Sequence, residues 1–463
     1  MLRLYDSAHG ELRALRARDD GKLSIYLCGP TVYDVPHLGH GRHALVWDVL
    51  RRWCTFTGLE VRFVSNITDV DDKIINRAAK EHVSEREIAT RYEEAWFAAL
   101  DRLGVARPSA VPHATHYVEE MVTLIEDLLA RGVAYPLDDG VYFDVTKVPD
   151  YGLLAGQALE SLRAGARVES RDDKRSPLDF ALWKFAKPGE PSWMANFGPG
   201  RPGWHTECVV MALDLLGEDF DLHCGGLDLQ FPHHENERAQ AVALGRPFAR
   251  HWAHHGWVMS GEEKMSKSLG NFTTLDELLA EHDPRAYRLL VLRSHYRSPV
   301  DVTPETLADA ERALARLDAL ARRFALAPSL RDGMVVASAR AWRGDAAALY
   351  DAVRADLDED LNCPAALAKL FDALSSANAR ADRGEEGPAR ELAEAINVLA
   401  GALGLELLVS NDEIDPATTK LVRARDKARA KKEWSRADEL RAELEALGWT
   451  VEDSSSGTVI RRA

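Results

Sequence analysis

Residues 23–28, LSIYLC, run through GPTVYDVPHL and HGRHALVWDVLRRWCTFTG (40–58) into LEVRFVSNIT (59–68), and this span decides the fold. LSIYLC alternates apolar and polar side chains like a short strand, and Gly29-Pro30 breaks it. In the next segment Leu45, Val46, Val49, Leu50 and Trp53 recur at helical spacing, and Gly58 stops the helix. LEVRFVSNIT is then a second strand. Strand, helix and strand within about 45 residues form the βαβ unit of a parallel sheet, whose ligands sit beyond the C-terminal strand ends.

Moving outward, the rhythm is interrupted. Val118, Met121, Val122, Ile125, Leu128 and Leu129 predict one amphipathic helix, and VAYPLDDGVYFDV (133–145) a hairpin turning on Asp139-Gly140. The β/α pattern resumes with FDLHCGG (220–226, strand), FPHHENERAQAVALG (231–245, helix) and HHGWVMS (254–260, strand). The fold class is therefore α/β: a Rossmann-type nucleotide-binding domain in two halves, 1–85 and 201–302, split by an α+β insertion at 86–200. A helical bundle over 303–409 follows, with the breaker ALAPSLRDG (325–333) inside it. SNDEIDP (410–416) then opens a small C-terminal α/β module, 410–463. Its basic stretch KLVRARDKARAKKEWSR (420–436) reads as a helix continuing through the apolar stripe Trp434, Ala437, Leu440, Leu444 and Leu447, with the charges outside. WTVEDSSSGTVIRR (449–462) reads as a hairpin with Gly457 in the turn.

A chain of 463 residues is too long for one core, and 46% hydrophobic with 29% charged residues excludes a disordered or fibrous protein. The net charge of −16 argues against nucleic-acid binding by bulk charge, so local basic density has to carry any such role. No run approaches the roughly 20 apolar residues of a membrane span. The first residues, MLRLYDSAHGELRALRARDD, hold no apolar signal core. Five cysteines, at 28, 54, 208, 224 and 363, are too scattered for a disulfide framework. A cytoplasmic, multidomain enzyme is expected.

Three clusters carry chemistry. Cys28, Cys208, His233 and Glu237 offer two thiolates, an imidazole and a carboxylate, a donor set suited to tetrahedral zinc. His233 and Glu237 are one helical turn apart and share a face, Cys28 ends the first strand, and Cys208 lies in GWHTEC at the start of a helix. The four come from distant segments, a lone cysteine is commonly a core residue, and His234, Cys224 and Glu235 are rival ligands. In PTVYDVPHLGHGR (30–42), His37 and His40 flank Leu38-Gly39 at a helix N-terminus, where backbone N–H groups and the helix dipole favour a triphosphate. A Pro-His turn that merely caps a helix has the same pattern. EEKMSKSLGN (262–271) places Lys264 and Lys267 between Gly261 and Gly270, as in a loop that closes over a phosphate chain.

PHLGH followed by KMSKS on this pattern resembles the class I aminoacyl-tRNA synthetases. YLCGPTVYD, NITDVDDKI, DDKRSPLDFALWK, GEPSW, GRPGWHTEC, HCGGLDLQFPHHENE and EKMSKSLGN together resemble the cysteinyl-tRNA synthetase family, as do DEDLNCPAAL and ADELRAELEALGWTVED further on. The likeness spans the chain, with Leu38 in place of the usual Ile of the histidine motif.

The resemblance implies one zinc ion held by Cys28, Cys208, His233 and Glu237, which takes the substrate thiolate as a ligand. It implies Gly29, Thr68 and Trp204 at the amino acid, and Gly39, Gly226, Asp228 and Lys267 at Mg-ATP, with Asp228 accepting from the ribose. His37, His40, Lys264 and Lys267 then stabilise charge as cysteinyl-adenylate forms. His223 and His255 either pack beneath the zinc or are satisfied core histidines. L-cysteine, ATP and tRNA(Cys) are the implied partners of an expected monomer with no membrane association, and the helical and C-terminal regions are expected at the anticodon stem. The alternative is the cysteine:glucosaminyl-inositol ligase of mycothiol synthesis, which carries the same motifs but has no need of an anticodon module. A catalytically inactive relative is disfavoured because both histidines and both lysines are present.

Overall fold

The computed structural model describes residues 1–157, 173–260, 263–264, 274–331, 334–335, 342–408, 416–454 and 457–462. They fall into two units, Met1–Leu314 with Ser329–Glu406, and Ala315–Pro328 with Leu407–Ala463.

In the first unit, a hairpin of β1 (Arg3–Asp6) and β2 (Glu11–Ala14) precedes the central strand β3 (Lys22–Leu27). β3 pairs parallel with β4 (Glu60–Ser65) on one side and with β9 (Leu222–Gly226) on the other, and β10 (Trp252–His255) pairs parallel with β9. The order is β10-β9-β3-β4, the parallel sheet expected from the βαβ span. The alternation read in LSIYLC is not a half-exposed pattern, because β3 is buried from Leu23 onward. Ser24 is accommodated by Asp221, whose Oδ2 accepts from both its N–H and its hydroxyl at 2.7 Å. Helix α1 (Leu38–Phe56) crosses from β3 to β4, followed by α2 (Asp72–Glu81) and α3 (Glu85–Arg102). More than an apolar stripe of α1 is buried: Arg42, Asp48 and Arg52 are buried with Leu45, Val46, Val49, Leu50 and Trp53.

The segment between the sheet halves holds α4 (Val118–Ala130) and an antiparallel sheet of β5 (Ala134–Leu137), β6 (Gly140–Phe143), β7 (Phe180–Phe185) and β8 (Gly200–Pro202). Leu137 pairs with Gly140, so the turn is Asp138-Asp139 and Gly140 opens the second strand. A Cβ on Gly140 would lie 2.1 Å from the Trp183 carbonyl oxygen, so close strand approach accounts for this glycine.

HHGWVMS is two strands rather than one. After β10 the chain breaks at Gly256, and β11 (Val258–Ser260) joins another sheet with β12 (Glu263–Lys264) and β13 (Val300–Asp301). Gly256 donates to the Tyr296 carbonyl at 2.8 Å, and a Cβ there would fall 2.5 Å from the Ser298 oxygen. Helix α5 (Trp204–Leu216) precedes β9, and α6 (Glu235–Ala243) follows directly on a helical stretch, Gln230–His234, interrupted where Phe231 is extended ahead of Pro232. Helices α7 (Leu275–Glu281), α8 (Pro284–Leu292) and α9 (Pro304–Arg323) follow, then α10 (Gly344–Leu357), α11 (Cys363–Asp382) and α12 (Glu386–Ala402).

In the second unit the basic stretch is not one helix. α13 (Pro416–Ala430) and α14 (Trp434–Ala446) are separated where Lys432 takes the left-handed φ of 61°. Ala437, Leu440 and Leu444 are buried, whereas Trp434 and Leu447 are 58% and 51% exposed and lie outside the stripe. β14 (Trp449–Ser454) and β15 (Gly457–Arg462) form the terminal hairpin, whose Trp449, Val451 and Ile460 pack with Leu444. Arg425 is an exception to the outward charges: it is buried and donates to Thr458 Oγ1 at 2.7 Å. Among the described residues, no helix is long and apolar enough to cross a membrane.

Candidate active site

The C-terminal ends of β3 and β9 open onto a cleft of about 310 Å³. His37, Gly39 and His40 line it from the N-terminus of α1, and Gly226, Asp228 and His255 line it from the ends of β9 and β10. Cys28, Gly29 and Trp204 complete the end nearest α5. Gly29 is dictated by space, since a Cβ there would lie 1.6 Å from the Asn66 carbonyl oxygen. The His37 and His40 rings stack at 3.8 Å, the His37 N–H donates to His40 Nδ1 at 3.3 Å, and Trp96 meets His40 edge-on. Two imidazoles are thus held at the positive end of a helix, which suits a polyanion.

Cys28 also belongs to a buried cluster. Its Sγ lies 3.7 Å from Cys208 Sγ and 3.4 Å from Glu237 Oε1. His233 Nε2 lies 3.6 Å from Cys208 Sγ and 3.1 Å from Glu237 Oε1. A metal bonded at about 2.3 Å to sulfur and about 2.0–2.2 Å to nitrogen and oxygen has tetrahedral edges of about 3.8 Å between sulfurs, about 3.5 Å from sulfur to a lighter donor and about 3.4 Å between lighter donors. The four donors therefore fit a tetrahedral metal. Burial pushes the Cys28 thiol well up and that of Cys208 to about 12, so a cation among them is what makes thiolates available. Burial, then the charges of His205 and His223, holds His233 well below the usual imidazole range, in its neutral, metal-ligating form.

Cys28, His223, His234 and Glu237 form a second set of donors within 4.8 Å of one another. His223 Nε2 lies 2.8 Å from Glu237 Oε2, the oxygen turned away from Cys28, and His234 Nδ1 is engaged with His254 Nε2 at 2.8 Å. Those contacts suit partners that orient a ligand. His233 is oriented likewise, its Nδ1 3.0 Å from His205 Nδ1 and its ring stacked under Trp204 at 4.1 Å. Of the other rivals, neither Cys224 nor Glu235 falls in either set among the described residues, and Glu235 Oε2 accepts from the Leu154 N–H at 2.7 Å. His223 sits beside the cluster, whereas His255 faces the cleft with Nε2 3.0 Å from His43 Nδ1.

Thr68 does not reach the cleft. It is buried, donating to Glu207 Oε1 at 2.8 Å and accepting from Asn66 Nδ2 at 3.2 Å. Asn66 Oδ1 in turn accepts from the Gly29 N–H at 2.9 Å. Asn66, Tyr33, Lys73 and Trp96 were not among the expected site residues; NITDVDDKI signalled Asn66 and Lys73 only as a block, YLCGPTVYD did the same for Tyr33, and Trp96 had no signal.

Lys264 lies in β12, paired with Met259 of β11, and Lys267 lies outside the described residues. At the far side of that segment Thr274 bridges to His37, and the Leu275 N–H donates to the Pro36 carbonyl at 2.9 Å. Both ends are thereby tied near the cleft. Arg42, fully buried on α1, donates to the carbonyls of Trp257, Tyr296 and Ser298 and so anchors the root of β11. Burial lowers its guanidinium to about 10.

Residues 14–312 match the family model for the tRNA synthetases class I (C) catalytic domain. Residues 352–408 match the DALR domain, and 411–461 the cysteinyl-tRNA ligase anticodon binding domain. Among solved structures, a methionyl-tRNA synthetase of Mycobacterium tuberculosis with methionyl-adenylate aligns with a TM-score of 0.60 at 16% identity, covering 90% of this chain and 96% of that one. The LeuRS of Agrobacterium radiobacter K84, in a ternary complex, aligns at 0.59 and 12% identity over 84% and 85% of the two chains. The catalytic fold is that of a class I aminoacyl-tRNA synthetase. Curated relatives are closer in sequence: a cysteine–tRNA ligase of Thermus thermophilus is 45% identical over 94% of each chain, and that of Chromobacterium violaceum 43% identical over 100% of each. That of Syntrophotalea carbinolica is 40% identical over 99% of this chain and 98% of its own. The chain belongs to the cysteine–tRNA ligase family.

Proposed function

We infer that this chain joins L-cysteine to tRNA(Cys) in two half-reactions. The cysteine carboxylate attacks the α-phosphorus of Mg-ATP, the bond to the bridging oxygen breaks, and pyrophosphate leaves. A hydroxyl of the terminal ribose then attacks the activated carbonyl and AMP leaves. The observation that carries this reading is the double membership of Cys28, which lines the cleft beside the histidine pair and belongs to the four-donor cluster. A thiol substrate and a phosphate chain thus find suitable partners within one site.

His37 and His40 bind the phosphates and donate to oxygens that gain charge in the transition state, aided by the N-terminus of α1. Lys264 and Lys267 neutralise the departing pyrophosphate, and Asp228 accepts from the ribose of ATP. Gly29 lets the amino acid approach the strand end, Trp204 covers it, and Thr68 acts one step back through Asn66. Zinc held by Cys28, Cys208, His233 and Glu237 supplies a soft acid that prefers thiolate to hydroxyl, a difference that pocket shape alone resolves weakly. The five-part division at 85, 200, 302 and 409 assigns the helical bundle and the C-terminal module to the tRNA stem and anticodon. Five unpaired, buried cysteines suit a reducing cytoplasm.

The test is transfer of labelled cysteine, with ATP, to tRNA(Cys) beside glucosaminyl-inositol as competing acceptor. Label on the tRNA alone is expected. Label on the sugar would overturn the acceptor and leave adenylate formation standing, while an enzyme that forms no adenylate would overturn the whole reading. The match at 411–461 to an anticodon binding domain favours the tRNA.

A further inference from the structure

We propose that Lys73 binds the phosphodiester next to the 3′ end of the tRNA and so serves the transfer step. This rests on the reading that the chain charges tRNA. Lys73 lies in the first turn of α2, where the helix dipole disfavours a cation. Neither neighbouring acid offsets it. Asp71 Oδ1 caps the helix, accepting the Lys73 N–H at 2.8 Å, and the Asp72 carboxylate is taken by Lys184 of β7 and Arg201 of β8. Among the described residues Lys73 makes no ion pair, and its Nζ lies over the Tyr33 ring at 5.2 Å. Both side chains line the cleft, and Lys73 is the lysine found there among the described residues. An exposed cation set against the dipole and turned to a ligand cleft calls for an anion.

Two phosphate sources reach such a cleft, the triphosphate and the acceptor backbone. The triphosphate reading uses His37 and His40 at the head of α1, which follows the inner strand β3. Lys73 follows β4, an edge strand, and Asp72 beside it is gripped by the inserted sheet. A strand end entering between that edge and the insertion meets Lys73 on the wall of the cleft that also holds the histidine pair.

The experiment compares the full-length wild type with Lys73→Met and Lys73→Arg. Pyrophosphate exchange reports adenylate formation and confirms that each variant is folded. Single-turnover transfer from preformed adenylate is measured to tRNA(Cys), unmodified or with a methylphosphonate at the last phosphodiester. In Lys73→Met, transfer is expected to fall about tenfold or more beyond any fall in exchange, with partial rescue in Lys73→Arg. The methylphosphonate should slow the wild type but add little to the Met variant, because the same contact is then removed twice. Equal losses in exchange and transfer would assign Lys73 to ATP, and a methylphosphonate penalty as large in Lys73→Met as in wild type would remove the contact; either result overturns the inference. Absence of both half-reactions in the wild type would instead overturn the proposed function.

Discussion

The Arg288 guanidinium on α8 lies 2.6 Å from the Asp48 carboxylate on α1, with both side chains buried. Arg52 Nε approaches the same oxygen at 2.7 Å, so one carboxylate serves two buried guanidiniums. Arg288 also donates to the carbonyls of Leu103 and Gly104 at 3.0 Å, which ties the end of α3 to the sheet helices. Burial pushes the Asp48 carboxyl up, but the Arg288 and Arg52 charges outweigh it and hold it below the usual range. A depressed carboxylate contributes stability in full above its unfolded value of about 3.9, and that share is lost as pH falls through the lower folded value. Asp48→Asn should cost about 3–5 kcal/mol at neutral pH, because two guanidiniums lose their counter-charge. Urea midpoints against pH should show a shallower acid decline in the variant than in the wild type. Parallel profiles would remove Asp48 from the acid response.

His233 and His234 are adjacent in sequence and occupy the two rival donor sets. His233→Ala and Cys208→Ala should each leave less than one zinc per chain, whereas His234→Ala should retain it. His223→Ala, which removes the partner of Glu237 Oε2, should weaken zinc binding by about 10–100-fold. Metal content after dialysis against a graded chelator reads all four. Loss of zinc in His234→Ala as complete as in His233→Ala would transfer the site to the second set.

What was legible follows from the physics of each signal. The βαβ span could be read because periodicity reports local backbone and burial together, and the thiol, imidazole and carboxylate types suggested a donor set whose side chains the structure brings together. Spacing could not separate His233 from His234, since the two are adjacent on helical backbone after Pro232 and only the tertiary packing shows which ring faces Cys208. HHGWVMS looked like one strand because the close approach at Gly256 is a tertiary constraint. The break between α13 and α14 rests on a positive φ at Lys432, a residue whose helix propensity points the other way. Arg42 and Lys73 look in sequence like any helix-surface cation. One is sealed among carbonyls and the other lines the cleft, a distinction held only in three dimensions.

Arg42 gives that distinction a kinetic consequence. Its guanidinium holds the Trp257, Tyr296 and Ser298 carbonyls, and Val258 begins the strand that pairs with Lys264. Arg42→Lys keeps the charge but cannot span three acceptors in fixed directions. Misplacement on the scale of 1 Å at a reacting centre costs on the order of 100-fold in rate. Arg42→Lys should therefore lower the kcat of pyrophosphate exchange by about 10–100-fold and shift the KM for cysteine much less. An unchanged kcat in a folded variant would leave Arg42 a purely structural residue.

In the second unit, Arg423 and Lys427 are exposed one turn apart on α13, while Arg425 between them is buried against Thr458. Alternate residues of one basic run therefore have different tasks. If the exposed pair meets tRNA phosphates, Arg423→Gln with Lys427→Gln should lower kcat/KM for tRNA(Cys) and reduce the salt dependence of binding by roughly 1 in log–log slope per residue. Arg425→Gln should instead lower the melting temperature of the module, because a buried guanidinium contact to the hairpin is lost. Binding measured at four salt concentrations separates the two. An unaltered slope in the double variant would return the stretch to the role of a solvated helix face.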